Sequence, residues 1–204
     1  MKIMSWNLLH RSGASLDDVI QLIHVQTPDL LLMQETTARI DPLADRVGGH
    51  YVRNPLPGRV HGLAVWSRKP LLEPPAVLQL QPGIVFDRIC QIVHLDGFAV
   101  ANVHLSHGQS LNRRQLRDIC RALPARAAVI GDCNLIGRHL LPGFHDVGPR
   151  QGTFSLMGLA RLRPDRCFVR GLNCNRSEAL LAGSSDHRPI AVWLSVPIEA
   201  ERAP

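Results

Sequence analysis

The amino-acid sequence predicts an α/β protein in which most strands pair antiparallel. Apolar runs of strand length recur along the chain, and near both ends they alternate with helical patterns. That alternation alone would also permit a doubly wound parallel sheet. Between residues 62 and 105, however, four strand patterns follow one another with no helix between them. A middle stretch without helices favours antiparallel pairing.

The individual elements follow from hydrophobic period and from the residues that interrupt it. A capping box at residues 15–18 opens a first helix, which Pro28 ends. Helical spacing predicts a second helix within residues 36–50, and a third that Ser110 caps and Pro124 closes. Strands are expected at residues 2–6, 29–33, 62–67, 76–80, 88–94, 98–105, 127–130, 166–169 and 189–196.

The length of 204 residues is typical of one domain. The sequence contains no repeat, linker or low-complexity tract, so residues 1–196 are expected to form a single domain. Residues 197–204 read as a flexible tail. Residues 135–164 are rich in Gly, Pro and Arg and are predicted to be mostly loop.

The charge balance favours a phosphate-rich partner. Basic residues outnumber acidic ones by 23 to 17, which gives a net charge of +6, and only Lys2 and Lys69 among the basic residues are lysines. Arginine is the better bidentate ligand for phosphate, although ordinary surface charge would also account for such a composition.

Cellular location is indicated by what the sequence lacks. The segment at residues 2–6 reads as a strand rather than a secretory signal, and no apolar run approaches the roughly 18 residues of a membrane helix. The five cysteines are odd in number and form no Cys-x-x-Cys pair, so neither a disulfide framework nor a zinc site is indicated. A cytoplasmic monomer without membrane association is the expectation.

Five short strings place amide, carboxylate or imidazole groups where strands are expected to end. They are Ser5-Trp6-Asn7, Gln34-Glu35, Asn102-Val103-His104-Leu105, Gly131-Asp132-Cys133-Asn134 and Ser185-Asp186-His187-Arg188-Pro189. Taken singly, each has an ordinary explanation, such as a strand-end charge, an Asx turn or a buried histidine. Together they supply what a hard divalent cation and a phosphate ester require, because carboxylates that converge at one sheet edge repel unless a cation neutralises them.

In this order, the five strings resemble the signature of the endonuclease/exonuclease/phosphatase superfamily. The superfamily includes exonuclease III-like and deoxyribonuclease I-like nucleases, neutral sphingomyelinases and inositol polyphosphate phosphatases. The matching segments run from Met1 to about Leu194. The resemblance implies a two-sheet, mostly antiparallel β-sandwich flanked by helices on both outer faces. It also implies metal-assisted hydrolysis of a phosphoric ester by in-line attack of water.

The resemblance further implies a role for each site residue. The implied ligands of Mg²⁺ (or Mn²⁺) are Glu35, Asn7 and Asp186. The implied catalytic residues are His104, Asp132, Asn134, Asp165 and His187, and the implied phosphate-binding residues are Asn7, Asn134 and Arg88. Asp132 would position or deprotonate the attacking water, and Asp165 would fix the tautomer of His187. Which of Asp132 and His187 takes the proton is left open.

Three other predictions concern residues around these motifs. Cys133 is expected to point into the core and not to act as a nucleophile. His10 and His107 are candidates for the rim of the site. The pair Arg113-Arg114 is more consistent with a solvated helix face.

Substrate choice is less well determined than chemistry. The abasic-site enzymes of the superfamily carry a tyrosine between the strand-end histidine and the Gly-Asp-x-Asn motif, whereas the only tyrosine here is Tyr51. The sequence also lacks the apolar loops that would engage a membrane. These features favour a nuclease of low sequence specificity acting on DNA or RNA. A phosphoesterase for a small-molecule or lipid phosphodiester is the alternative, and a non-catalytic nucleic-acid-binding relative comes third.

Overall fold

The protein is described here by a computed structural model that covers residues 1–83, 87–138, 141–156, 160–181 and 183–197. Its strands are β1 Lys2–Asn7, β2 Leu30–Thr37, β3 His50–Pro55, β4 His61–Ser67, β5 Ala76–Gln79, β6 Ile89–Leu95, β7 Phe98–His104, β8 Ala127–Asp132, β9 His145–Asp146, β10 Phe154–Leu156, β11 Ala160–Leu162, β12 Asp165–Arg170, β13 Asn173–Ala179 and β14 Ile190–Ser195. Its α-helices are α1 Leu16–Gln26, α2 Leu43–Val47 and α3 Gln109–Ala122. The predicted tail lies outside the described residues, apart from Pro197.

Two six-stranded sheets form the body of the molecule. The first sheet has the order β13-β14-β1-β2-β4-β3, and the second has the order β5-β6-β7-β8-β12-β9. Within each sheet one central pair is parallel, β1 with β2 and β7 with β8, and the other pairs are antiparallel. The predicted antiparallel pairing of the middle strands is therefore confirmed.

Three apolar layers hold the sandwich together. The layer between the sheets contains residues such as Ile3, Leu32 and Ile130, which are fully buried. Helix α1 packs Val19 and Ile23 against the outer face of the first sheet. Helix α3 packs its own apolar stripe against the outer face of the second sheet. This arrangement confirms the predicted two-sheet sandwich with helices on both outer faces. The helices among the described residues are too short or too polar to cross a membrane.

Several predicted boundaries are wrong, and backbone-restricting residues explain them. The helix expected within residues 36–50 is reduced to a 3₁₀ turn at Ala38–Ile40 and the short α2, because Pro42 interrupts the pattern and Gly48 ends it. Helix α3 begins earlier than expected, with Gly108 rather than Ser110 at its N-cap. The capping box that opens α1 is present as predicted.

Some strands were not predicted because their sequences lack an apolar pattern of strand length. Residues 135–164 are not purely loop, since they include β9, β10 and β11. Strand β13 escaped notice because it is polar and lies at the edge of the first sheet, where no alternating apolar pattern is needed. Strand β13 extends the first sheet and β9 the second, whereas β10 and β11 form a separate two-stranded antiparallel sheet.

A buried polar network crosses the apolar layer between the sheets. Asn102 of β7 accepts a hydrogen bond from Gln34 Nε2 at 2.8 Å. It donates to Gln91 Oε1 and to the backbone carbonyls of Met33 and Ala64, at 3.0–3.2 Å. Both Asn102 and Gln34 are fully buried. Because buried amides are costly without partners, this network fixes the relative position of the two sheets.

Asn102→Leu should therefore lower the free energy of unfolding by about 3 kcal/mol or more, because it leaves several buried polar groups without partners. Urea unfolding followed by circular dichroism measures the loss. The same change at the exposed Asn173 of β13 serves as the control and should cost less than about 0.5 kcal/mol. Equal losses in the two variants would show that the network contributes nothing to stability.

Candidate active site

A row of three polar side chains crosses the second sheet at one end. The strand register places Asp132, the last residue of β8, between His104 of β7 and Asp165 of β12. In-register residues on neighbouring strands point to the same face, so the three side chains lie side by side. The resulting Asp132 carboxylate is 2% exposed and lies at the centre of the site.

Groups from both sheets surround this carboxylate. Asn7 of β1 donates from Nδ2 to Asp132 Oδ2 at 3.0 Å, and the backbone N–H of Asn134 donates to Oδ1 at 3.0 Å. The Nε2 atoms of His104 and His187 lie 3.4 and 3.8 Å from Oδ2. The site therefore forms only where the two sheets meet.

The Gly131-Asp132-Cys133-Asn134 string provides the required backbone path. Gly131 has φ +144°, and a Cβ there would lie 2.1 Å from the carbonyl oxygen of Val103, so only glycine fits. Cys133 is fully buried in the core, as predicted. Asn134 adopts a left-handed conformation with φ 47° and donates from Nδ2 to the carbonyl oxygen of Leu105.

The first turn of α3 holds Asn134 in this conformation. Gln109 Nε2 and Asn112 Nδ2 both donate to the Asn134 carbonyl oxygen, at 2.9 and 2.8 Å. Gln109 also accepts from the backbone N–H of Ile136. A helix that begins at Gln109 can make these contacts, which accounts for the early start of α3.

His187 is fixed on both sides of its ring and along its backbone. Its Nδ1 lies 2.9 Å from Asp165 Oδ2, which leaves Nε2 facing Asp132. Its backbone N–H donates to Ser185 Oγ, and its carbonyl accepts from Trp6 Nε1 at 2.9 Å. The Phe154 ring lies against the imidazole at a centroid distance of 4.9 Å. The bend at residues 184–186 thus delivers a rigidly oriented imidazole.

Burial and charge give the three titratable groups different protonation states. Burial alone lowers the pKa of His187, but the Asp165 carboxylate outweighs it and raises that pKa to about 9. Burial lowers the pKa of His104 well below its ordinary value, so this imidazole is neutral at pH 7. Burial raises the pKa of Asp132 against the opposing pull of His187. The site thus combines an imidazolium, a neutral imidazole and a carboxylate of raised basicity.

Glu35 is aimed at the site by a β-bulge. The register between β2 and β4 shifts between Gln34 and Thr36, and Glu35 is the extra residue, with φ 55°. Its Oε2 lies 2.5 Å from His10 Nδ1 and accepts from the His10 backbone N–H at 3.2 Å. Burial acts to raise the pKa of Glu35, but the hydrogen bonds from His10 prevail and hold it below the usual range.

Arg88 lies one residue before β6 begins. It is 3% exposed. Burial lowers its pKa, and the carboxylates of Asp132 and Glu35 oppose that effect, so the guanidinium interacts with both charges. The predicted phosphate-binding residue Arg88 therefore lies within electrostatic reach of Asp132 and Glu35.

Most of the sequence-predicted site residues line one cleft of about 580 Å³. They are Asn7, Glu35, His104, Asp132, Asn134, Asp186 and His187. Asp165 lies behind His187 rather than on the cleft surface, and Arg88 is likewise absent from the lining. His107 lines the cleft as a rim candidate, whereas His10 contacts Glu35 directly.

Sequence reasoning missed a second set of cleft residues. Arg163 and Arg166 line the cleft and share the Asp146 carboxylate, with nitrogen–oxygen distances of 2.6 and 2.8 Å. Burial acts to raise the pKa of Asp146, but the two arginines prevail and lower it. Phe154 also lines the cleft and lies in the region predicted as loop. His61 does not line the cleft, but it stacks on His10 at the start of β4. Neither contact is visible from the neighbouring sequence.

The sequence places the protein in a known family. The sequence model of the Endonuclease/Exonuclease/phosphatase family matches residues 4–187, which include all the site residues described above. The chain belongs to the Endonuclease/Exonuclease/phosphatase family. Membership makes it a phosphoesterase of this superfamily, as the resemblance of its motifs implied. No curated protein sequence matches the chain significantly.

Solved structures share the fold over nearly the whole chain. An endonuclease/exonuclease/phosphatase from Bacteroides vulgatus superposes with a TM-score of 0.80 at 17% identity, covering 96% of this chain and 98% of that chain. A mannosyl-6-phosphatase from Bacteroides thetaiotaomicron gives 0.75 at 18% identity, covering 96% and 99%. A humanized TDP2 from D. rerio gives 0.73 at 18% identity, also covering 96% and 99%. At these identities the likeness establishes the fold.

The Asp165–His187 contact leads to a titration prediction. Asp165→Asn should lower the pKa of His187 from about 9, because burial would then be opposed only by the weaker charges of Asp132 and Asp186. The pH dependence of the imidazole resonances, measured by NMR, gives the pKa. Asp118→Asn on α3 is the matched control and should leave the titration of His187 in place. An unchanged pKa in Asp165→Asn would contradict the assigned pairing.

The same pair predicts a pH dependence of stability. Because the pKa of His187 is raised to about 9 in the folded state, its contribution is fully present below about pH 6.5 and is lost as pH rises through about 9. The difference in unfolding free energy between the wild type and His187→Gln should therefore shrink between pH 6 and pH 10. A difference that is constant over this range would contradict the charged pair.

Proposed function

We propose that this chain hydrolyses phosphodiester bonds of nucleic acid, with low sequence specificity and with the help of Mg²⁺ or Mn²⁺. The observation that carries the proposal is the placement of Asp132 and His187 in a cleft that Glu35 also lines, with Asp165 behind His187. The Asp132 carboxylate could activate water, the His187 imidazolium could bind a phosphoryl group, and Glu35 adds a further carboxylate on the cleft lining.

Asp132 is proposed as the general base. His187 has a pKa of about 9 and is already protonated at neutral pH, so it is poorly suited to accept a proton from water. Burial raises the pKa of the Asp132 carboxyl group, which suits proton abstraction near neutral pH. Asn7 and the Asn134 N–H hold its two oxygens in a fixed orientation toward the water.

His187, Arg88 and Asn134 are proposed to bind the phosphoryl oxygens. His187 presents Nε2 to the cleft as a charged donor because Asp165 occupies Nδ1. Arg88 adds a second cationic charge within reach of Asp132 and Glu35. Charge that develops on the phosphoryl oxygens during attack would be stabilised by these fixed donors, which is usually the largest catalytic contribution. His104 is neutral and would donate a hydrogen bond to an ester oxygen.

The donor set fits a hard divalent cation of the Mg²⁺ type. Glu35 supplies a carboxylate at the cleft, and Asn7 and Asp186 supply further oxygens on the same lining. No ligating group of three His, Cys, Asp or Glu is found in the part of the chain that the structure describes. The carboxylate and amide oxygens of Glu35, Asn7 and Asp186 suit Mg²⁺, which keeps several waters and binds through one or two carboxylates. When bound, such an ion would supply Lewis-acid stabilisation of the phosphoryl group.

A small organic phosphoester is the second candidate substrate. The cleft volume of about 580 Å³ lies within the range of small-molecule sites, and one wall is apolar, with Leu135, Phe154 and Leu162. One relative of the same fold is named a mannosyl-6-phosphatase. Purified protein assayed with Mg²⁺ or Mn²⁺ on plasmid DNA, single-stranded DNA, RNA, bis-p-nitrophenyl phosphate and sugar phosphates separates the two candidates.

Glu35→Gln should reduce turnover by on the order of 100-fold, because the variant keeps the shape of the side chain but loses the charge that would bind the cation. Turnover and Mn²⁺ binding, the latter measured by electron paramagnetic resonance, should fall together. Glu73→Gln at an exposed site is the control and should match the wild type. Near wild-type turnover of Glu35→Gln at saturating Mg²⁺ would refute the assignment.

Asp132, Asn134 and His187 should behave as one catalytic unit. Single changes to alanine are each expected to lower turnover by on the order of 100-fold or more, and the double change at Asp132 and His187 should cost far less than the product. A double-mutant cycle on a chromogenic phosphodiester measures the coupling. Strictly multiplicative losses would count against a shared role.

A further inference from the structure

A second cavity of about 670 Å³ is lined by His10, which contacts Glu35, and its lining does not include Asp132 or His187. We call it the arginine pocket and define it by Arg11, Arg39, Arg59, His10 and His61. These residues come from three segments: the loop after β1, the 3₁₀ turn after β2, and the connection between β3 and β4. The cavity is therefore a feature of the first sheet, next to the active-site cleft but with a different lining.

The backbone holds two of the three arginines in defined positions. The N–H of Arg59 donates to the Leu56 carbonyl at 3.0 Å, and Gly58 has φ +66° after Pro57, which is the pattern of a type II turn. Leu56 is buried and anchors this turn. Arg39 lies in the 3₁₀ turn beside the buried Ile40.

The loop that carries Arg11 is also constrained. Leu9 has φ 53°, and the N–H groups of Gly13 and Ala14 donate to the carbonyls of Leu9 and Leu8 at 2.8 Å. A Cβ on Gly13 would lie 2.0 Å from the Leu8 carbonyl oxygen, so the loop can close this tightly only with glycine there. Arg11 projects from a compact loop rather than from a freely moving one.

Two of the arginines in the arginine pocket, Arg11 and Arg39, carry charge that no acidic side chain of the described residues neutralises. Other arginines have acidic partners, such as Arg53 with Asp41 and Arg163 with Asp146. Within the described ranges, neither Arg11 nor Arg39 forms an ion pair with an acidic side chain. Exposed cations grouped around a concave surface attract a polyanion, and binding releases the counterions of the polyanion into solution.

The positive field also acts on the histidines of the pocket. His10 and His61 stack with a centroid distance of 4.1 Å and an interplanar angle of 15°. Burial is the main cause that lowers the pKa of His61, and Arg59 is among the charges that lower it further, while Glu35 opposes them.

His10 connects the arginine pocket to the active-site cleft. It lines the pocket and also bonds to Glu35, which lines the cleft that contains Asp132 and His187. A substrate that places one phosphate at the cleft therefore needs only to pass Glu35 to place its next phosphates over Arg11 and Arg39. A diester with a single phosphate cannot use both places at once.

We propose that the arginine pocket binds the phosphates of a single nucleic-acid strand adjacent to the bond that is cleaved. This inference rests on the proposed function, since it concerns the same substrate. According to this proposal, the preference of the enzyme for a polynucleotide over a small diester depends on residues of the arginine pocket, which lie outside the catalytic cleft. Contacts to backbone phosphates alone add affinity without sequence preference.

Binding of a fluorescent single-stranded DNA, measured by anisotropy in EDTA over a series of salt concentrations, tests the proposal without turnover. Arg11→Ala and Arg39→Ala should each weaken binding by on the order of tenfold and flatten the salt dependence by about 0.7 log unit per log unit of salt. The lysine variants should restore much of the affinity. Arg117→Ala, an exposed arginine on α3, is the matched control and should bind like the wild type.

Hydrolysis of two substrates completes the test. The kcat/KM for the oligonucleotide should fall far more in Arg11→Ala and Arg39→Ala than the kcat/KM for bis-p-nitrophenyl phosphate. Equal losses on both substrates, or binding that does not change in the alanine variants, would overturn the subsite. Arginine-dependent binding without hydrolysis of either diester at saturating Mg²⁺ or Mn²⁺ would instead overturn the proposed function and leave the subsite standing.

Discussion

The arrangement of the site depends on one constraint, the burial of the Asp132 carboxylate where the two sheets meet. A carboxylate that is 2% exposed is tolerated only if hydrogen bonds and opposite charge replace its lost hydration. Asn7 from the first sheet, the N–H of Asn134, and His187 supply that compensation. Because these partners come from distant parts of the chain, the carboxylate can be satisfied only in the assembled sandwich. Stability and the geometry of the cleft are thus linked through the same atoms.

The contacts of Asp165 with His187 and of Glu35 with His10 extend this constraint outward. Asp165 keeps His187 charged, and the register of β12 on β8 places Asp165 directly beside Asp132. Two carboxylates on adjacent strands would repel, and the imidazolium lies close to both. On the other sheet, a bulge aims Glu35 at the cleft, and His10 offsets part of its charge. The active site is therefore an alternation of negative and positive groups across the gap between the sheets.

Local patterns were sufficient to predict much of this arrangement. The apolar runs and the capping box identified α1 and most central strands, and strand-end motifs identified Asp132 and His187 as neighbours in space. The helix expected within residues 36–50 is shortened to a 3₁₀ turn and α2, because Pro42 and two glycines interrupt the helical pattern. The contacts of His10 and the Arg163–Asp146–Arg166 triad depend on long-range packing of loops, for which neighbouring sequence carries no signal. Their roles, like those of all the site residues, stay predictions.

The most direct test of the central claim, that water activated beside Asp132 attacks phosphorus, is a single turnover of bis-p-nitrophenyl phosphate in ¹⁸O-water with enzyme in excess. Direct attack predicts one ¹⁸O atom in the p-nitrophenyl phosphate product of the first turnover and none in Asp132. A first-turnover product with unlabelled oxygen, together with ¹⁸O in the Asp132 carboxyl group, would show that this carboxylate attacks phosphorus itself. That result would contradict the account.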